Sequence, residues 1–72
     1  MYFSVKDVAK MLNCSDETIR IKIRTGKLIA KKYNNKFKIF ENDIYNMVRE
    51  NLSDENLSNE EVKEFIKSTS VN

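Results

Sequence analysis

AKMLNCSDETIRIKIRTG, residues 9–26, is the stretch whose reading decides the fold. It reads as the end of one helix, a three-residue turn, and a second helix stopped at a glycine. Ala9 is small, as a residue must be where two helices cross closely. Asn13 holds the turn and tolerates positive φ better than most residues. Cys14 faces inward as a small core residue, and Ser15 is placed to cap the second helix. Ile19 and Ile23, four residues apart, share one helical face and bury the second helix against the first.

Working outward, the same start signal occurs three times. Ser4 is a good N-cap, with Asp7 three residues on and Phe3 positioned to staple against Val8. The first helix is therefore expected from Val5 to Leu12, with Val5, Val8, Ala9 and Leu12 as its apolar stripe. The second is expected from Asp16 to Thr25, its first turn carrying Asp16 and Glu17. Gly26, the single glycine of the chain, ends it as a left-handed residue. Ile19 and Ile23 point one way; Glu17, Ile21, Arg24 and Thr25 point the other, flanked by Arg20 and Lys22.

Lys27 to Phe40 reads as a hairpin, LIAKKY–NN–KFKIF. Asn34-Asn35 can take the two positive φ values of a primed turn. The pairing then sets Tyr33 against Lys36, Lys31 against Lys38 and Ala30 against Ile39. Leu28, Ala30, Phe37 and Ile39 fall on the covered face. The other face opposes Lys31 to Lys38, an arrangement that costs stability in isolation and is relieved where it meets phosphate. A third helix is expected over Asn42–Asn51, with Ile44, Met47 and Val48 inward and Tyr45 and Leu52 marginal. After a polar turn at 51–56, Leu57, Ser58, Glu61 and Val62 start a short fourth helix over Asn59–Lys67, with Ser68 to Asn72 frayed.

The chain has 72 residues, about 40% of them apolar, which bounds it to one small core. One cysteine and no histidine exclude an internal disulfide and speak against a zinc site, so no metal and no cofactor is expected. No apolar run approaches the ~18 residues of a membrane span. An enzyme is disfavoured by the same inventory, together with the absence of a phosphate-cradling glycine loop. The net charge of +2 hides a division. Residues 1–40 hold ten Lys/Arg against three acids; residues 41–72 hold three against eight. From Thr18 to Phe40 there are eight basic residues and no acid, the footprint of polyanion binding.

The segments SVKDVAKML, CSDETIRIKI, GKLIAKK and FKIFENDI carry a ladder of Ala9, Leu12, Ser15, Thr18, Ile19, Ile23, Gly26, Leu28 and Asp43-Ile44. This ladder resembles the MerR-like, excisionase-type small winged helix-turn-helix DNA-binding proteins over about Phe3 to Val48. The resemblance implies a mainly α fold with a small β-hairpin: helix-turn-helix, two-stranded wing, third helix, plus a short C-terminal helix. It also implies a DNA-binding domain over residues 1–52 and an acidic helical extension over 53–72. By that likeness the second helix enters the major groove of double-stranded DNA through Glu17, Thr18, Arg20, Ile21, Lys22, Arg24 and Thr25. The wing meets the backbone or adjacent minor groove through Lys27, Lys31, Lys32, Tyr33, Asn34, Asn35, Lys36 and Lys38. Such proteins act as recombination directionality factors that bend attachment-site DNA, or as small transcription regulators; the implied location is cytoplasmic, on the nucleoid. Ile21 stands where family members often carry arginine, and Asn34-Asn35 where they often carry glycine.

Some residues keep two readings. Ile21 could touch a thymine methyl, or be covered by a second protomer or the tail helix. Glu17 could accept from a cytosine amino group, or merely favour the helix start. Tyr33 could stack in a minor groove or lie flat on the wing. The tail stripe Val62, Phe65 and Ile66 could close the core, self-associate, or dock on a partner such as an integrase or recombinase. On that last reading the chain is a protein-interaction module.

Overall fold

A computed structural model describes residues 1–69. Helix α1 (Val5–Met11) starts as the sequence dictates: the Ser4 hydroxyl accepts from the Asp7 amide at 3.1 Å, and the Asp7 carboxylate accepts from the Ser4 amide at 3.3 Å. Helix α2 (Asp16–Arg24) is capped by Ser15, whose Oγ accepts from the Thr18 amide at 3.1 Å. Both helices stop one residue sooner than the apolar pattern indicates. Leu12 and Thr25 serve as C-caps, with φ of −95° and −88°. Periodicity locates the buried face but not the residue where hydrogen bonding changes hands.

The two stops share one geometry. Asn13 has φ 55°, and the Cys14 amide donates back to the Ala9 carbonyl at 2.9 Å while the Asn13 amide reaches Lys10 at 3.3 Å. Gly26 has φ 80°, and the Lys27 amide donates to the Lys22 carbonyl at 2.8 Å while the Gly26 amide reaches Ile23 at 3.2 Å. Both are Schellman closures, which satisfy carbonyls that a helix end would otherwise orphan.

Three strands form one antiparallel sheet in the order β1-β3-β2: β1 (Tyr2–Phe3), β2 (Lys31–Tyr33) and β3 (Lys36–Phe40). The hairpin register is as expected, Lys31 opposite Lys38 and Tyr33 opposite Lys36, around a turn in which Asn34 and Asn35 have φ 49° and 63°. The Ala30–Ile39 pairing is not made. The Leu28 amide is held by the Lys22 carbonyl at 3.0 Å and its side chain is buried, so residues 28–30 form a connection, not a strand. Ile39 pairs instead with Phe3 of β1, a two-residue strand too short for any sequence pattern to announce.

Helix α3 (Glu41–Leu52) begins directly off β3, one residue early and without a side-chain cap; the Glu41 amide donates to the Met1 carbonyl at 3.2 Å. It ends one residue late at Ser53, φ 55°, with the Asp54 amide on the Arg49 carbonyl at 3.1 Å. Helix α4 (Asn59–Thr69) carries a second capping box, Ser58 and Glu61 bonded reciprocally at 3.2 and 3.0 Å. It runs past Lys67 to Thr69, with Ser68 Oγ donating to the Phe65 carbonyl at 2.9 Å, so Ser68 and Thr69 are helical; 70–72 lie outside the described residues.

Val8, Ile19, Leu28, Ile39 and Ile44 supply a fully buried centre drawn from both helices, the connection, the sheet and α3. Val62 of α4 joins them with no exposed surface. Tyr45, expected at the margin, is buried because α4 lies over it: the ring lines a groove with Lys63 and Ile66. That burial, more than neighbouring Glu41, pushes its phenol up from the ordinary tyrosine value.

Arg49 ties α4 to α3. Its Nε donates to the Leu57 carbonyl at 2.6 Å, Nη1 to Asn46 Oδ1 at 2.8 Å, and Nη2 to Asn59 Oδ1. Replacing it with methionine keeps the stem and orphans the Leu57 carbonyl. Urea denaturation of Arg49→Met is expected to show a loss of about 1.5–3 kcal/mol, with α4 amides the first to lose exchange protection. Ser53→Gly should stabilise by about 0.5–1 kcal/mol, the difference between the left-handed strain on serine and the chain entropy of glycine, read as a higher urea midpoint.

The capping bonds from Ser58 hold the Glu61 carboxyl below the usual glutamate range. A depressed carboxyl stabilises above its unfolded pKa and loses that contribution as pH falls through the folded value. Glu61→Gln should therefore lower stability at neutral pH, flatten the acid limb of the stability–pH curve, and leave low pH nearly unaffected, the two curves converging as pH falls.

Candidate nucleic-acid interface

The basic block is distributed over two surfaces. On α2, Arg20, Arg24 and Thr25 are exposed, Ile21 is 43% exposed, and Lys22 and Thr18 are half-buried. Ile21 is thus not covered by α4. Thr18, Ile21, Lys22, Thr25 and Lys27 line a shallow depression of about 210 Å³ on this outward side. Such a surface, apolar at its centre and basic at its rim, has the dimensions to meet a base-pair edge and the phosphates beside it.

Several of these side chains already have local partners. Glu17 approaches Arg20 at 3.8 Å, an exposed pair of slight energetic weight that orients Arg20 along the helix. The Thr25 hydroxyl donates to the Ile21 carbonyl at 2.8 Å, and Thr18 Oγ1 lies 2.9 Å from Ser15 Oγ. Among the described residues these contacts leave Arg24 as the outward residue with a planar, uncommitted donor fork, suited to a bidentate contact with guanine.

The second surface is the outer face of the sheet. Alternation along β3 sets Lys36, Lys38 and Phe40 outward and Phe37 and Ile39 inward; register places Tyr33 and Lys31 opposite the first two and Tyr2 opposite Phe40. Lys32 stands on the other side of β2, its ammonium 6.0 Å from the Phe37 ring centroid, apart from the other wing lysines. Asn34 and Asn35 form the exposed tip, and Lys27 is exposed where the chain leaves α2.

Lys31 and Lys38 do oppose each other, and two rings ease the repulsion. The Lys38 ammonium lies 5.0 Å from the Tyr33 ring centroid and 5.9 Å from that of Tyr2, contacts worth about 0.5–1 kcal/mol each at an exposed site. Among the described residues the ion pairs are Arg20–Glu17 and Lys63–Glu60. Within that same set no carboxylate neutralises Lys31, Lys36 or Lys38.

Of the tail residues, Val62 and Ile66 are buried against the chain's own core and Phe65 is 40% exposed. Cys14 is half-buried; burial pushes its thiol up, Lys22 pulls it partly back and Asp16 adds to the rise, so it sits as a neutral packing residue. Tyr2 and Phe40 also belong to the outer sheet face, a placement that sequence reasoning misses. The alternation KFKIF puts Phe40 in phase with Lys36 and Lys38, but nothing in the sequence signals that Tyr2 will pair beside it.

No helix among the described residues is long and apolar enough to cross a membrane, and no group of three or more potential metal ligands is found there. A family model described as Helix-turn-helix domain matches residues 2–52, from β1 to the end of α3. No curated protein and no solved structure matches. With α1, the Asn13 turn and α2 at the centre of that match, the chain belongs to the Helix-turn-helix domain family and is a DNA-binding module.

Proposed function

We propose that the chain is a sequence-preferring binder of double-stranded DNA of the MerR-like, excisionase type, acting as a recombination directionality factor on the nucleoid. One observation carries this reading: the exposed side of α2 is followed at once by a sheet face whose three lysines have no carboxylate partner among the described residues. Arg20, Ile21, Lys22 and Arg24 face the major groove, Arg24 reading a guanine and Ile21 a thymine methyl. Lys27, Lys31, Lys36 and Lys38 hold phosphates as flexible point charges, positioning without reading sequence. Glu17, Thr18 and Thr25 line the groove edge, and Tyr33, Asn34 and Asn35 place the wing tip; Lys32 contributes from the wing's opposite side.

Residues 1–52 form the DNA-binding unit and residues 53–72 an acidic extension. Because α4 uses Val62 and Ile66 on its own core, its apolar stripe does not supply a ready two-fold dimer seam. Single copies bound side by side on direct sites fit this arrangement better than a dimer on a palindrome. Phe65 remains as the accessible point for an integrase or recombinase partner. The second reading is a small repressor, which a palindromic site would favour.

Two measurements test this. Anisotropy titration of a duplex across a salt series should give log K against log salt a slope near −3.6, from about 0.9 per phosphate for about four contacts. Lys36→Ala should flatten it by about 0.9, whereas Arg24→Ala should cost about 1–3 kcal/mol on the preferred site and relax preference at one base pair. On the selected site, binding should be cooperative on tandem direct repeats and bend the DNA. Preference for inverted half-sites one helical turn apart would select the repressor reading.

A further inference from the structure

We propose that the outer face of the sheet is a second nucleic-acid site, one that takes an unpaired nucleotide of a DNA strand. Tyr2 and Phe40 stand side by side at one end of this face, ring centroids 5.1 Å apart and planes tilted by 57°. Both rings are accessible, 49% and 44% exposed. With Ile29, Lys31, Lys38 and Asp43 they line an open cleft of about 320 Å³, at the small end of ligand-site volumes and suited to one nucleotide.

The lining divides by chemistry. Tyr2, Phe40 and Ile29 offer apolar and aromatic surface on which a base of any kind can stack. Lys31 and Lys38 offer two ammonium groups to the phosphate attached to it. Asp43 accepts hydrogen bonds, which a base amino group can supply and a phosphate cannot. Beyond the cleft the face continues with Tyr33, whose ring lies under the Lys38 ammonium, and with Lys36 opposite it in the register. A free nucleotide would leave that track empty; a strand would follow it. Aromatic rings interleaved with lysines on a sheet are what single-strand recognition requires, since every base has a π-face and every linkage a charge. A duplex keeps its bases stacked inward and has no use for Tyr2 and Phe40. The site shares Lys31 and Lys38 with the proposed duplex contact, and the rings distinguish the two.

The test uses a fluorescein-labelled mixed-sequence 12-mer, single-stranded and annealed to its complement, at low salt. The variant is Tyr2→Leu/Phe40→Leu, which keeps apolar bulk and removes both rings. The wild type should bind the single strand, and the variant should bind it about 5- to 100-fold more weakly while duplex affinity stays within about 2-fold. Arg24→Ala should show the opposite pattern, so a failure of the duplex reading would appear separately. Should the double variant fail to fold, backbone amide shifts of the wild type decide: titration with the unlabelled single strand should move Tyr2, Lys38 and Phe40 more than α2. No binding of the single strand, equal losses on both probes, or shifts confined to α2 would overturn the proposal. So would deoxyadenosine monophosphate binding as tightly as the strand, which would make a free nucleotide the ligand.

Discussion

The hydrogen bond from the Cys14 amide to the Ala9 carbonyl, made possible by the left-handed Asn13, is the constraint on which the rest of the structure depends. It reverses the chain within three residues and brings α2 back onto α1, so that Ile19 meets Val8 and Ala9 in the core. The same device recurs at Gly26, where the Lys22 carbonyl receives the amides of both Lys27 and Leu28. That double bond sends Leu28 into the core and so fixes where the wing begins. A domain this small has little apolar area to enforce its shape; sharp, hydrogen-bonded helix ends supply the definition that a larger core would give elsewhere.

Charge is arranged on this frame so that the two halves of the chain do different work. The basic half forms α2 and the sheet, with its lysines left unneutralised among the described residues. The acidic half forms α3 and α4 and is tied together by Arg49, a basic residue whose hydrogen bonds go to Asn46, Leu57 and Asn59 instead of to a carboxylate. Concentrating like charge on a two-stranded wing costs folding energy. Tyr33 and Tyr2 flank Lys38 and offset part of that cost, and on the proposed single-strand site Tyr2, with Phe40, also stacks a base. One surface would then serve both stability and recognition.

Helix positions are legible in the sequence because their starts are written in local chemistry. Ser4, Ser15 and Ser58, each followed at fixed spacing by a polar partner and an apolar staple, mark three of the four. The wing register is legible too, since Asn34-Asn35 admit a primed turn and the alternation of KFKIF leaves one phase. What escapes depends on distant parts of the chain. Strand β1 is two residues long and exists because β3 offers it an edge. Tyr45 is buried because α4, a separate element later in the chain, lies over it. Phe40, an aromatic residue at the junction of β3 and α3, has no local signal for its pairing with Tyr2. The outward face of α2 comes directly from 100° per residue, so Arg20, Ile21 and Arg24 emerge exposed; the half-burial of Lys22 and the hydroxyl bonds of Thr18 and Thr25 do not.

The central claim is that α2 and the sheet, not the acidic extension, form the surface that meets DNA. Mapping amide chemical shifts across the chain during titration with a selected duplex tests it most directly. The account predicts the largest changes from Arg20 to Lys27 and from Lys31 to Lys38, with α4 nearly still. Changes centred on Phe65 and its neighbours, with Arg24 and Lys36 unmoved, would contradict it.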